Sequence, residues 1–161
     1  MQNLNHRASA FFYVGLAMRM AISLGLHENP PAGSLSEEKL EDRRRAWWSV
    51  YSMDCILSVK SGNPMMMHNE DIGVAMPSPL PSEEVYCPAV VLACYTTLSL
   101  ILGDIARQIY RRRSWESTGG LKQVMHRINE KLDRRLAVIP SELDFHAAHM
   151  SREGVSTMLH F

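Results

Sequence analysis

The sequence predicts an all-α fold, an irregular multi-helix bundle that forms part of a larger helical domain. Apolar residues recur three and four positions apart in several long segments, which is the spacing of one helix face. No segment alternates apolar and polar residues for long enough to indicate a strand. The chain has 161 residues, 46% of them hydrophobic, and this size corresponds to one domain or part of one.

The first predicted helix covers residues 4–24. Gly25 then supplies the left-handed conformation that closes a helix, and Leu26 follows where a Schellman cap makes its hydrophobic contact with the last turn. A loop containing Pro30 and Pro31 comes next. The residues with helical spacing in this segment are Ala8, Phe11, Phe12, Gly15, Met18, Ala21 and Ile22.

The second predicted helix covers residues 35–61. Ser34, with Glu37 three residues later, predicts a capping box at its start. The sequence Gly62-Asn63-Pro64 predicts its end. One stripe of the helix consists of Leu40, Trp47, Val50, Tyr51, Asp54 and Leu57.

Residues 65–82 are predicted to cross the surface as an ordered, extended loop, because they hold several prolines and show no helical period. A third helix is predicted over residues 83–111, with Pro88 as the alternative start. Residues 85–103 within it carry no charge, and their length alone is sufficient for a membrane span. Pro88 and several hydroxyl-bearing residues instead favour a buried core helix over a membrane span.

Two further helices are predicted over residues 120–137 and 151–161. The first of them has Leu121, Met125, Ile128, Leu132 and Leu136 at helical spacing. In the second, apolar residues are still accumulating at Phe161 without a capping signal, so we expect the sequence to stop inside a helix.

The charge balance argues against autonomous DNA binding. Lys plus Arg equals Asp plus Glu at 17 each, so the chain as a whole has no net field that attracts phosphate backbones or acidic membranes. Arginines nonetheless cluster at 43–45, 111–113 and 134–135. Solvated helix ends and ion pairs are the favoured interpretation of these clusters, and a local basic patch is the alternative.

The residues give no basis for a catalytic or metal site. The three cysteines show no CxxC spacing, and His146 and His149 lack further ligands nearby. No nucleophile elbow, phosphate loop or dinucleotide motif is present. Asp54, on an apolar stripe, is predicted to have a partner, either an arginine or a helix N-terminus. The alternative, a general acid with a raised pKa, requires a second titratable group.

Two adjacent tryptophans follow the first arginine cluster. Neighbouring helix residues point about 100° apart, so Trp47 and Trp48 do not form one platform for stacking bases. We expect one of them in the core and the other against a neighbouring helix.

A series of motifs runs from residue 15 to residue 77. Their residues, interpreted as structural, are Gly15, Arg19, Gly25, Leu26, Arg44, Arg45, Trp47, Trp48, Tyr51, Asp54, Gly62, Pro64, Asp71, Ile72 and Pro77. In this order and spacing the motifs resemble the fungal-specific transcription factor domain, the middle homology region of fungal zinc binuclear cluster transcription factors. Cys55 and Asn63 depart from the pattern, since members usually carry arginine at both places.

The resemblance implies that residues 1–161 are part of one helical regulatory domain of a nuclear protein, modulating transcription without reading DNA or catalysing a reaction. It implies that zinc and DNA contacts belong to a separate N-terminal module, and that this segment holds no cofactor. The partners it implies are a second copy, other proteins of the transcription machinery or a small-molecule effector, and no membrane. The alternative is a stand-alone helical protein that binds a small molecule, with an enzyme less favoured.

Overall fold

The computed structural model describes residues 2–84, 88–107 and 118–137. These residues form four α-helices and one short 3-10 turn, and no strand occurs among them, so the all-α prediction is confirmed. The predicted helix at 151–161 lies outside the described residues. In chain order the elements are α1 (Gln2–Ser23), α2 (Glu37–Ser61), the 3-10 turn (Asn69–Asp71), α3 (Pro88–Ile105) and α4 (Thr118–Leu136).

Helix α1 ends as its sequence predicts. Gly25 has a φ of 64°, a conformation that favours glycine over residues with a Cβ atom. Its N–H donates to the Ile22 carbonyl at 2.9 Å, and the Leu26 N–H donates to the Ala21 carbonyl at 3.0 Å. These are the two hydrogen bonds of a Schellman motif, which satisfy carbonyl groups left free at the helix end.

Helix α2 begins two residues later than predicted, and the predicted capping box at Ser34 is wrong. Ser36 is the N-cap, and its hydroxyl accepts a hydrogen bond from the Lys39 N–H at 3.4 Å. The Ser34 hydroxyl instead donates to the Pro31 carbonyl at 2.7 Å, so the turn before the helix holds this side chain. Glu37 follows Ser36 in the first turn, where a carboxylate interacts favourably with the helix dipole.

The core lies where α1 packs on α2. Met18 and Ala21 of α1 are buried against aromatic side chains of α2, and Val74 joins them from the chain that follows α2. The buried aromatic residues are Trp47, Trp48 and Tyr51. Each large aromatic ring removes roughly 150–250 Å² from water, so these rings dominate the stabilisation of the core.

Helix α3 contacts α2 through polar groups. The Ser52 hydroxyl donates to the Thr96 hydroxyl at 3.5 Å, and the Cys55 thiol donates to the Ser99 carbonyl at 3.0 Å. By length and composition α3 could cross a membrane, and 39% of its 18 residues are buried inside the protein. These contacts show that α3 packs on α2, as expected for a core helix.

The described part of α3 begins at Pro88, the alternative start predicted for this helix. Residues 83 and 84 are not helical, and the helix is described from Pro88, whose fixed φ suits a first helical turn. Residues 108–111 of the predicted helix lie outside the described residues.

The chain divides into two compact units, Met1–Gly103 and Asp104–Phe161. In the second unit Asp104 pairs with Lys131 at 2.5 Å and with Arg107 at 3.3 Å. Ile128 of α4 is buried, whereas Met125 on the same predicted face is half exposed.

Candidate functional site: a return loop on helix α2

Residues 63–84, called here the return loop, follow α2 and run back along it. Gly62 ends the helix with a φ of 69°, which favours glycine. The N–H groups of Gly62 and Asn63 donate to Val59 and Ser58 carbonyls at 3.2 and 2.9 Å. This second Schellman arrangement reverses the chain. The predicted extended segment 65–82 therefore lies on the helix that precedes it, and Val74 and Pro77 are buried.

Asp54 makes the first attachment of the return loop. Its side chain is buried, and Oδ2 accepts a hydrogen bond from the Met66 N–H at 3.0 Å. Oδ1 accepts one from the Ser58 hydroxyl at 3.5 Å. The prediction of an arginine or a helix N-terminus as partner is therefore wrong. The reason is that this stripe of α2 faces loop backbone, whose free N–H supplies the donor.

The Asp54 carboxyl is buried with a raised pKa, as the alternative of a general acid requires, and the titratable group beside it in the chain is the Cys55 thiol. Burial raises the pKa of the Asp54 carboxyl, and the Met66 and Ser58 hydrogen bonds oppose this effect. The neighbouring thiol of Cys55 is buried and bonded to the Ser99 carbonyl. Burial, with the Asp54 charge, raises the pKa of Cys55 to about 11, so this thiol is protonated at neutral pH.

Two aromatic side chains make the middle attachments. The Tyr51 hydroxyl donates to Oδ1 of Asn69, and the Trp48 indole Nε1 donates to the Ala75 carbonyl at 2.8 Å. Trp47 is in the core as expected. Trp48 lies in the same buried cluster as Met18 and Ala21 of α1, and the polar edge of its ring also bonds loop backbone.

Glu41 makes an attachment near the start of α2. Its carboxylate is almost fully buried, and Oε1 accepts hydrogen bonds from Arg45 Nε at 3.0 Å and the Ser78 N–H at 2.8 Å. Oε2 accepts from the Ser78 hydroxyl at 3.3 Å and from Arg44 at 3.4 Å. A buried carboxylate with donors at both oxygens is stable only while these partners remain in place.

Arg45 also joins α2 to the last part of the return loop. Its two terminal nitrogens bind Oε1 and Oε2 of Glu83 at 2.7 and 2.6 Å, a bidentate pair. Glu83 also accepts the Leu80 N–H at 2.8 Å. The Glu83 hydrogen bonds raise the pKa of Arg45 further above its ordinary value, so the guanidinium stays charged.

Sequence reasoning did not single out either glutamate. Glu41 and Arg45 are four residues apart on a helix, a spacing that signals an ion pair, and this signal was available. Glu83 is 38 residues from Arg45, and no local pattern connects them.

The other residues of the family pattern lie at structural positions. A Cβ atom at Gly15 would be 3.9 Å from the Met66 sulfur, so α1 passes close to the return loop there. The Pro64 carbonyl accepts a hydrogen bond from the Ser58 hydroxyl at 3.3 Å. Leu26 and Ile72 pack against the core, whereas Arg19 and Asp71 are exposed.

The first arginine cluster bonds to the protein itself. Besides the contacts of Arg44 and Arg45, Arg43 donates to the Gly25 carbonyl at 2.9 Å. Arg134 pairs with Glu130 at 3.4 Å, and the cluster at 111–113 lies outside the described residues. In the described parts of the chain no three His, Cys, Asp or Glu side chains are grouped to hold a metal ion. The His146 and His149 pair lies outside them.

Fold and site together define a helical scaffold in which buried polar side chains fix the path of a loop. The family model described as the fungal specific transcription factor domain matches residues 1–134, and the chain belongs to this family. The resemblance inferred from the motifs is thereby confirmed.

The relatives are fungal transcription regulators. The chain is 30% identical to the acetamidase regulatory protein of Aspergillus oryzae over 158 residues, 95% of the chain and 20% of that protein. It is 35% identical over 85 residues to the thiamine repressible genes regulatory protein thi1 of Schizosaccharomyces pombe, 53% of the chain and 11% of that protein. It is 32% identical over 89 residues to the lactose regulatory protein LAC9 of Kluyveromyces lactis, 55% of the chain and 10% of that protein.

The chain thus spans about a fifth or less of the length of these relatives. It corresponds to one segment, the transcription factor domain, of these regulators. No solved structure matches the chain.

Proposed function

We propose that this segment modulates transcription in the nucleus through the helical scaffold and the return loop, without reading DNA itself. One observation supports the absence of DNA reading. The three arginines of α2, Arg43, Arg44 and Arg45, all donate hydrogen bonds to groups of the same chain. Specific DNA binding needs side chains free to contact phosphates and base edges. The zero net charge supports the same conclusion.

Fluorescence anisotropy of the isolated chain with random and promoter-derived duplexes tests the DNA part of this proposal. We expect weak binding at most, equal for all sequences and abolished by moderate salt. Sequence-specific binding in the nanomolar range would contradict the proposal. Elemental analysis of the same preparation is expected to find no stoichiometric zinc, because we assign the zinc of family proteins to a different module.

The attachment of the return loop is the feature through which we expect this segment to act. Fusing the chain to an unrelated DNA-binding domain and measuring a reporter gene in a fungal nucleus tests this role. Glu83→Gln removes one of the two carboxylate charges that hold Arg45, the one supplied by the return loop, and is expected to change reporter output. Glu84→Gln is the matched control, because Glu84 is the exposed neighbour of Glu83. Equal output from both variants and the unmodified fusion would contradict a role for the loop.

A second candidate function is response to a small metabolite. The names of two relatives link them to thiamine and lactose. A cavity of about 260 Å³ beside the start of α2 is lined by Pro30, Pro31, Leu35, Leu40, Arg44 and Ala75, among others. Its volume is close to the lower end of the ~300–1,000 Å³ usual for ligand sites, so it fits only a small molecule.

The cavity lining combines apolar side chains with Asn29 and with the Arg44 guanidinium, which would have to bind a short aliphatic carboxylate beside its contact with Glu41 at 3.4 Å. Thermal unfolding with and without millimolar butyrate tests this candidate, with Arg44→Leu as the matched variant. Stabilisation of the unmodified chain and none of the variant would support it. Equal midpoints with and without butyrate would contradict it.

A further inference from the structure

Ser78 in the return loop is the only serine or threonine of the chain that is followed by proline. A residue before proline is restricted to extended backbone conformations, and residues 75–80 form neither helix nor strand. Ser78 and Pro79 are both exposed. Protein kinases bind their substrate peptides in extended form, and proline-directed kinases also require the proline after the serine. Ser78 therefore has the local form of a substrate for such a kinase.

All three polar groups of Ser78 contact α2. Its N–H donates to Glu41 Oε1 at 2.8 Å, and its hydroxyl donates to Glu41 Oε2 at 3.3 Å. Its carbonyl accepts a hydrogen bond from a terminal nitrogen of Arg45 at 3.2 Å. The same exposed residue thus joins the last part of the return loop to a carboxylate that is 1% exposed.

The charges around Ser78 are balanced. Glu41 and Glu83 supply two negative charges, and Arg44 and Arg45, which pair with them, supply two positive charges. A phosphate on Ser78 would add a charge of about −1.5 to −2 at neutral pH, and its ester oxygen would lack the hydrogen that the hydroxyl donates to Glu41. Because both guanidiniums already hold carboxylates, the added charge would repel the buried Glu41 carboxylate.

We propose that Ser78 is a phosphorylation site for a proline-directed kinase, and that the phosphate releases residues 78–84 from α2. In the transfer, Ser78 Oγ attacks the γ-phosphorus of Mg²⁺-bound ATP, and the bond from that phosphorus to the β,γ-bridging oxygen breaks, so that ADP leaves. The hydroxyl proton passes to the catalytic aspartate of the kinase. The effect on transcription rests on the role proposed above for the return loop, whereas the modification and the release do not.

Treatment of the folded full chain with a purified proline-directed kinase and Mg²⁺-ATP tests the site. Peptide mass spectrometry is expected to find phosphate on Ser78, and Ser78→Ala is expected to abolish this modification. Ser82→Ala is the matched control, since Ser82 is an exposed serine of the same loop that precedes a glutamate. It is expected to be phosphorylated like the wild type. An unmodified Ser78, or modification of Ser82 to the same extent, would overturn the assignment.

Amide hydrogen exchange of the phosphorylated chain, followed by NMR, tests the release. Relative to an unstructured phosphopeptide of residues 70–84, the Ser78 N–H is expected to exchange at least about tenfold faster than in the unmodified chain, because its bond to Glu41 is lost. The Val74 N–H, which donates to the His27 carbonyl at 3.0 Å, is the internal control and is expected to keep its protection.

Unchanged protection at Ser78 would overturn the proposed release. An equal loss at Val74 would overturn it as well, because the phosphate would then open more of the fold than residues 78–84. Neither measurement uses a reporter gene or DNA. Failure of this proposal is therefore distinguishable from failure of the regulatory role, which the reporter assay measures.

Discussion

The indole Nε1 of Trp48 donates a hydrogen bond to the carbonyl oxygen of Ala75, 27 residues further along the chain. Trp47, its neighbour in sequence, has a buried Nε1 with no acceptor among the described residues. The two tryptophans therefore differ in role. Both rings are buried in the core, and Trp48 in addition fastens the return loop to α2.

This difference predicts unequal effects of phenylalanine at the two positions. Trp48→Phe removes a hydrogen bond and is expected to lower the free energy of unfolding by about 1 kcal/mol, in addition to lost packing. Trp47→Phe removes an unpaired donor, so only packing is lost. Urea unfolding of both variants measures the difference. A larger loss for Trp47→Phe would show that the indole shape, and not the hydrogen bond, dominates at these positions.

Arg45→Lys tests the bidentate pair with Glu83. Lysine keeps the charge but cannot make two parallel hydrogen bonds while also donating to Glu41. We therefore expect the free energy of unfolding to fall by about 1–2 kcal/mol. Arg134→Lys is the control, since its pair with Glu130 is largely exposed, and its effect is expected to stay within about 0.5 kcal/mol. Chemical unfolding measures both. Equal effects would mean that the Arg45 fork adds no stability beyond its charge.

The raised pKa of Asp54 predicts a pH dependence of stability. A carboxyl whose pKa is higher in the folded state binds its proton more tightly there than in the unfolded chain. Its contribution to the stability of the fold is therefore present at low pH. This contribution is lost as the pH rises through the folded pKa. Asp54→Asn keeps an acceptor for the Met66 N–H but cannot ionise.

The stability of the Asp54→Asn variant relative to the wild type is therefore expected to increase as the pH rises from about 4, the ordinary pKa of an aspartate carboxyl. Urea unfolding of both proteins at several pH values measures this difference. A relative stability that falls with pH would show that the hydrogen bonds to the carboxylate outweigh its burial.

The two described cysteines are expected to differ in reactivity. Cys55 is buried with a pKa of about 11, whereas Cys94 is partly exposed. At pH 8 about one Cys55 thiol in a thousand is ionised, and the thiolate is the reactive form. Iodoacetamide labelling followed by peptide mass spectrometry should modify Cys94 well before Cys55. Equal labelling rates would mean that the α2–α3 contact opens readily.

Local features of this fold were predictable from the sequence, and the return-loop contacts were not. The Gly25 cap and the helical periods depend on neighbouring residues. The N-cap was misplaced because Ser34 matched a capping box, while the Pro31 carbonyl took its hydroxyl. The partners of Asp54 and Arg45 come from a loop without a period, so no spacing rule could identify Met66 or Glu83.

The attachments of the return loop also suggest an order in which it forms. Counted along the chain from the Gly62 reversal outward, the paired residues are 12, 18, 27 and 37 positions apart. Each contact shortens the segment that the next must close, so each step adds only a small loop-closure entropy. The loop can thus close one contact at a time, beginning with the hydrogen bond between Met66 and Asp54. Asp54→Ala is then expected to slow folding, and Glu41→Ala mainly to speed unfolding.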